Sequence, residues 1–239
     1  MRMDKLLANM GFGTRKDVKK LMKSGSVHVN GEVVKEGKVH VDPEKDLVTV
    51  FGEEVKYKPY IYLMMNKPQG VISATEDDEH ETVIDLLLYE HAMYEPFPVG
   101  RLDKDTEGFL LITNDGQFSH ALMSPKRHVP KTYYATIRGR VTEEDVKLFE
   151  QGVTLEDGYE TKPGQLVVLE QGAESKIELT ITEGKYHQVK RMFEAVGKKV
   201  TTLKRLKIGD LELDSELELG TYRELTDEEV EILLGKQKA

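Results

Sequence analysis

Cysteine is absent from this chain of 239 residues. Its absence excludes disulfides, thiolate catalysis and zinc sites built on cysteine. No window approaches the apolar run of ~20 residues that a membrane-spanning helix needs. The first residues, with Arg2, Asp4 and Lys5, lack the apolar core and small-residue cleavage site of a secretory leader. A cytoplasmic protein with no membrane partner is therefore expected. A basic excess is missing too: the net charge is −9, which argues against a uniformly basic nucleic-acid binder. No repeat or low-complexity tract occurs, and the length suits one large or two modest domains, each able to bury a core.

Charge is segregated along the chain. Residues 1–24 carry seven Lys/Arg (Arg2, Lys5, Arg15, Lys16, Lys19, Lys20, Lys23) against two acids, and residues 121–140 carry five with none. Residues 184–209 carry eight against Glu194, whereas residues 210–231 carry ten acids against Arg223. Such segregation fits a polyanion-binding face with an acidic back; ordinary solvated faces give the same counts.

Met3, Leu6, Leu7 and Met10 follow the stripe of a short amphipathic helix, ended near Gly11 and Gly13. Thr14 is placed to cap a second helix, Arg15–Lys23, that buries Val18, Leu21 and Met22 and turns its cations elsewhere. Short strands are expected at 27–29, at 33–34 across the Asn30-Gly31 hairpin turn, and at 47–51. Segment 53–59 is polar and ends in proline, so it reads as a linker and sets domains of 1–58 and 59–239.

In the second domain, strands are expected at 61–66, 133–137, 165–169, 176–182, 200–208 and 211–213. Helices are expected after Thr82, from Asp115 or Ser119 to Leu122, over 142–151 and 186–196, and after Thr226. Strands outnumber helices without βαβ alternation, which predicts an α+β fold with a mixed, largely antiparallel sheet.

Three distant segments carry distinctive polar groups. In the first, Gly100-Arg101-Leu102-Asp103-Lys104-Asp105-Thr106-Glu107-Gly108 leads into the apolar run 109–112, a tight polar loop held against a buried strand. The second is Lys131-Thr132-Tyr133, and the third is Glu183-Gly184-Lys185-Tyr186-His187-Gln188-Val189-Lys190-Arg191-Met192. Taken singly, Asp103 reads as a turn cap, Tyr133 as a core tyrosine, Lys190 as a solvated helix lysine and His187 as a cap or packing group. Asp103 beside Asp105 or Glu107 also allows the paired carboxylates of a glycosidase, although neighbourhood in a loop does not set their separation.

Together these segments resemble the ordered motifs of the pseudouridine synthases, which isomerise uridine in RNA. The run LMMNKPQGVIS resembles the first strand and turn of their catalytic domain, and residues 2–50, with GSVHVNG, resemble an S4 RNA-binding domain. Within the family, GRLDKDTEGFLLITNDG, KTYYA and EGKYHQVKRMF most resemble the RsuA branch, which acts on small-subunit (16S) ribosomal RNA. The resemblance implies an S4-like domain followed by a catalytic domain with a central cleft, a monomer that needs no cofactor or metal, and ribosomal RNA or a small-subunit assembly intermediate as partner. Branch relatives that act on large-subunit ribosomal RNA or tRNA, and a non-catalytic ribosome-assembly factor, are the alternatives.

By the same resemblance Asp103 is the nucleophile, or the base that starts glycal formation, and Lys190 is its cationic partner. Tyr133 offers a stacking face and a hydroxyl for proton handling. Arg101 fills the stack vacated by the flipped uridine. RNA contacts fall to Arg2, Lys5, Arg15, Lys16, Lys19, Lys20, Lys126, Arg127, Lys185 and Arg191. There are two departures from the family pattern. Pro130 precedes Lys131 where many relatives have an acid, and Lys190 stands where other branches carry arginine, which puts a point charge in place of a bidentate fork. Lys104, Asp105 and Glu107 carry no assigned role.

Overall fold

In the computed structural model, which describes residues 1–235, the opening apolar stripe forms α1 (Met3–Asn9) with Met3, Leu6 and Leu7 fully buried. Thr14 and Asp17 close a reciprocal capping box on α2 (Arg15–Lys23), which buries Val18 and Met22. Strands β1 (Val27–Val29) and β2 (Glu32–Val33) are joined by Asn30 and Gly31 with φ of 51° and 87°, the left-handed pair that a tight hairpin requires. With β3 (Val48–Val50) and β4 (Glu53–Glu54) they form an antiparallel sheet in the order β2-β1-β3-β4. The linker expected over 53–59 is thus corrected at its start. Glu53 and Glu54 pair with Val50 and Thr49, and a two-residue edge strand is too short to show a period-two pattern.

These elements belong to one compact unit, Met1–Ile61 with Leu87–Pro96, which includes α3 (Tyr89–Ala92). The second unit comprises Tyr62–Leu86 and the chain from Phe97 onward. Its strands are β5 (Tyr62–Lys67), β6 (Phe97–Val99), β7 (Glu107–Thr113), β8 (Lys131–Arg138), β9 (Gln165–Glu170), β10 (Glu174–Ile181), β11 (Lys199–Ile208), β12 (Leu211–Glu212) and β13 (Tyr222–Glu224). They build one sheet in the order β13-β5-β7-β11-β8-β10-β9, with β6 on β7 and β12 on β11. Every pairing is antiparallel except β7 with β11, in agreement with the mixed, largely antiparallel expectation.

Burial follows sequence. In β7 all of Gly108 to Thr113 is buried, as a central strand covered on both faces requires, whereas β8 and β10 alternate and bury Tyr133, Ala135, Ile137, Ile177, Leu179 and Ile181 on one face. Phe109 and Leu111 pack with Phe118 and Leu122 of α4 (Gly116–Met123). Asp115 starts that helix by accepting the N–H groups of Gln117 and Phe118. Capping boxes at Thr142/Asp145 and Thr226/Glu229 open α5 (Glu143–Gln151) and α7 (Asp227–Leu233), and α6 (Gln188–Ala195) buries Val189, Met192 and Phe193.

The helix expected after Thr82 does not form. Thr82 and Asp85 make the cap-like hydrogen bonds, but the Val83 N–H goes to the Ile72 carbonyl, and the extended Leu88 separates this turn from α3. The one parallel pairing is short, with Lys204 opposite Glu107 and Arg205 opposite Gly108. Gly108 has φ of 102°, and a Cβ there would lie 2.3 Å from the Arg205 carbonyl oxygen, so only glycine lets the strands meet.

Candidate active site

Asp103 lies on the loop from β6 to β7, and that loop is held by its own backbone. Buried Ser73 accepts the Leu102 N–H at 3.0 Å and donates to the Leu102 carbonyl at 2.9 Å. The ammonium of Lys67, which is 0% exposed, donates to the carbonyls of Pro68, Asp103 and Thr106 at 2.9–3.0 Å. Burial lowers the Lys67 pKa to about 8, with the charges of Asp103, Asp105 and Glu107 opposing the shift. Gly70 N–H adds a bond to the Lys104 carbonyl at 2.8 Å. Five backbone groups of residues 102–106 are thereby fixed without using the Asp103 carboxylate, whose side chain remains 32% exposed.

The third motif brings its cation to that carboxylate. Gln188 accepts the Lys185 N–H and donates to Glu183, while Glu183 also accepts from the Tyr159 hydroxyl and the Lys162 N–H. This web shapes the turn into α6, where His187 adopts φ of 49° and Lys190 follows one turn later. Lys190 Nζ lies 3.2 Å from Asp103 Oδ2 and 2.6 Å from Asp105 Oδ1. Burial works against the Lys190 charge, but the two carboxylates outweigh it, and its pKa is raised. The Lys190 ammonium in turn lowers that of Asp105. Asp105, left without a role by the sequence, is therefore the closer of the two partners.

His187 sits at the N-cap of α6 but makes no side-chain cap; its ring stacks on Tyr186, with centroids 3.8 Å apart, and its Nε2 is 3.5 Å from Asp103 Oδ2. Tyr133, 8% exposed, comes from β8. Asp103, Lys190, Tyr133, Arg101 and Lys185 all line one cleft of about 480 Å³, together with Lys131, His187 and Arg205.

A family model described as RNA pseudouridylate synthase matches residues 61–195, and an S4 domain matches residues 1–48. The chain belongs to the RNA pseudouridylate synthase family. It is 56% identical to an uncharacterized RNA pseudouridine synthase of Bacillus subtilis over 98% of both chains. Identity to the ribosomal small subunit pseudouridine synthase A of Yersinia pestis is 42%, over 96% of this chain and 97% of that one. The same enzyme of Escherichia coli K12 is 39% identical over 96% and 98%. A crystal structure of a pseudouridylate synthase superposes with a TM-score of 0.69 at 40% identity, covering 98% of this chain and 99% of the other. Family membership makes the protein an isomerase with an RNA-binding S4 domain, in accord with the resemblance read from its motifs.

Three residues of this synthase fold escaped the sequence reading. Lys67 ends an apolar strand, and its ligands are backbone carbonyls that no side-chain motif encodes. His187 was read only as a cap or packing group, with no part in the cleft. Arg205 shares the alternation of Leu203 in β11, which was a readable sign that it faces inward. The surface cations divide by setting. In the first unit Lys5, Arg15, Lys16, Lys19 and Lys20 are exposed, and Arg2 pairs with Asp4 at 2.5 Å. In the second, Lys126 and Arg127 are exposed outside the cleft lining, Arg127 donating to the Leu234 carbonyl, and Arg191 turns to Asp157 at 2.5 Å. Among the described residues no helix is long and apolar enough to cross a membrane.

Proposed function

We propose that this synthase converts one uridine of small-subunit ribosomal RNA to pseudouridine, with Asp103 as the nucleophile or initiating base and Lys190 as the cation that keeps it ionised. The observation that carries the chemistry is the Asp103–Lys190 pair, 3.2 Å apart at a cleft that also holds Tyr133. The substrate rests on the near full-length similarity to enzymes named for the small subunit. Breaking the N1–C1′ bond, turning the uracil and joining C5 to C1′ leaves composition unchanged, and an ionised carboxylate is the reactive group this requires. The target base is flipped into the cleft, where Tyr133 supplies an apolar face; Arg101, exposed at the rim, occupies the vacated stack. The chain works as a monomer in the cytoplasm, with residues 1–58 gripping RNA and 59–239 carrying the chemistry. Its substrate is the RNA itself or a small-subunit assembly intermediate.

Mapping pseudouridines across all ribosomal RNA and tRNA with and without this protein tests the assignment. One site lost from the small subunit is expected, and a site lost from the large subunit or tRNA would overturn it. Lys190→Ala is expected to lower kcat ~100-fold with RNA affinity nearly unchanged, since the pair serves the reacting centre; a pure binding defect would remove the role. Changing Lys16, Lys19 and Lys20 together to glutamine is expected to weaken binding and flatten its dependence on salt by ~2–3 units of log–log slope. An unchanged slope would leave that helix face idle.

A further inference from the structure

Beside Tyr133 the cleft carries two cations, Arg205 and Lys131, that form no ion pair among the described residues. Arg205 of β11 is the cross-strand neighbour of Tyr133 on β8, and it is only 3% exposed. Its Nε donates to the Phe109 carbonyl at 2.7 Å, which fixes the plane of the guanidinium. One terminal nitrogen, Nη2, is buried and has no hydrogen-bond partner among the described residues. Lys131 lines the same cleft, and its ammonium donates to the Val129 carbonyl at 3.0 Å. Burial, followed by the charge of Arg205, lowers the Lys131 pKa to about 8, and no carboxylate is among the groups acting on it. A buried guanidinium beside a half-buried ammonium, neither in an ion pair, is costly to maintain, and such an arrangement marks a place where negative charge arrives during function.

We propose that Arg205, seconded by Lys131, binds the carbonyl oxygens of the target uracil and takes up the negative charge that develops there when the N1–C1′ bond breaks. The inference rests on the uridine isomerisation proposed above. When that bond breaks, its electron pair passes to uracil N1 and is delocalised onto O2 and O4. The electron-poor C1′ is met by the Asp103 carboxylate, or relieved by loss of the 2′ proton as a glycal. After the ring turns, C5 bonds to C1′ and gives up its proton to base or solvent while N1 takes one up, and the departing carboxylate or returning 2′ proton restores the sugar, so the atoms balance. Donors already aimed at the uracil oxygens lower the barrier because they need no reorganisation as charge appears. A guanidinium is suited to this part, since it donates without giving up its proton. Depth separates this pair from phosphate contacts: a flipped base reaches the bottom of the cleft, whereas the exposed Arg101 and Lys185 stand where a backbone passes.

The test pairs protein variants with single-atom changes in the RNA. Single-turnover rates are measured for wild type, Arg205→Gln and Lys131→Gln on a small-subunit RNA fragment whose target uridine is unmodified, 2-thiouridine or 4-thiouridine. Arg205→Gln is expected to slow the unmodified substrate ~100-fold with RNA Kd unchanged. Sulfur at the contacted position should slow wild type but add little to the variant's defect. Independent, multiplicative effects at both positions would overturn the proposal, as would a variant that loses RNA affinity but keeps its single-turnover rate. Should Arg205→Gln fail to fold in thermal melts, Lys131→Gln carries the same comparison. A wild type that makes no pseudouridine at all refutes the isomerase assignment instead, which is a separate outcome.

Discussion

Asp103→Asn is expected to reduce pseudouridine formation by ~10⁴-fold or more while RNA affinity stays within about twofold of wild type. The asparagine side chain has nearly the same shape but no charge, and it cannot serve as nucleophile or base. The loop has little reason to move, because it is held through the carbonyls of residues 103 and 106 and both backbone groups of Leu102. Lys190 keeps its shorter bond to Asp105 at 2.6 Å, so the cation also stays in place. The loss is therefore expected in the chemical step alone. Chromatography of nucleosides from digested substrate RNA gives turnover, and filter binding gives affinity; sustained turnover by the purified variant would remove Asp103 from the reaction.

Gly108→Ala is expected to destabilise the fold by ~3 kcal/mol or more. The added carbon would come within 2.3 Å of the Arg205 carbonyl oxygen and 2.8 Å of its amide nitrogen, and the backbone would have to hold φ of 102° with a side chain attached. Neither neighbour is a flexible chain end that can swing away. Relief requires β7 and β11 to separate, which pulls the Asp103 loop from the Tyr133 strand. Denaturant melts report the stability. A midpoint within error of wild type would show that the strands have more freedom than their spacing indicates.

Local rules carried the reading of the elements. Asn30-Gly31, the cap Thr14, the capping box at the start of 142–151, and Asp115 before Gly116 are short-range devices whose partners lie within a few residues, and each reappears in the structure. Thr82 shows the limit: its cap-like bonds formed, but the following amide was claimed by Ile72 from another segment. The motif residues Asp103, Tyr133 and Lys190 meet in one cleft, yet the structure around them was not legible. Lys67 binds backbone carbonyls, Asp105 gains its partner 85 residues away, and Arg205 bonds to Phe109 across 96 residues. Such contacts depend on which strands become neighbours, and composition and period do not encode that order.

The two-residue junction between β7 and β11 also sets when this protein becomes an enzyme. Asp103 belongs to the chain before that junction and Arg205 to the far strand, so during synthesis the Asp103 loop is made long before the strand it must meet. A growing chain that has passed Lys190 already contains every motif, yet it has no finished cleft until β11 emerges and slots between β7 and β8. Catalytic competence thus waits on β11, the strand that joins the Asp103 loop to the strand of Tyr133.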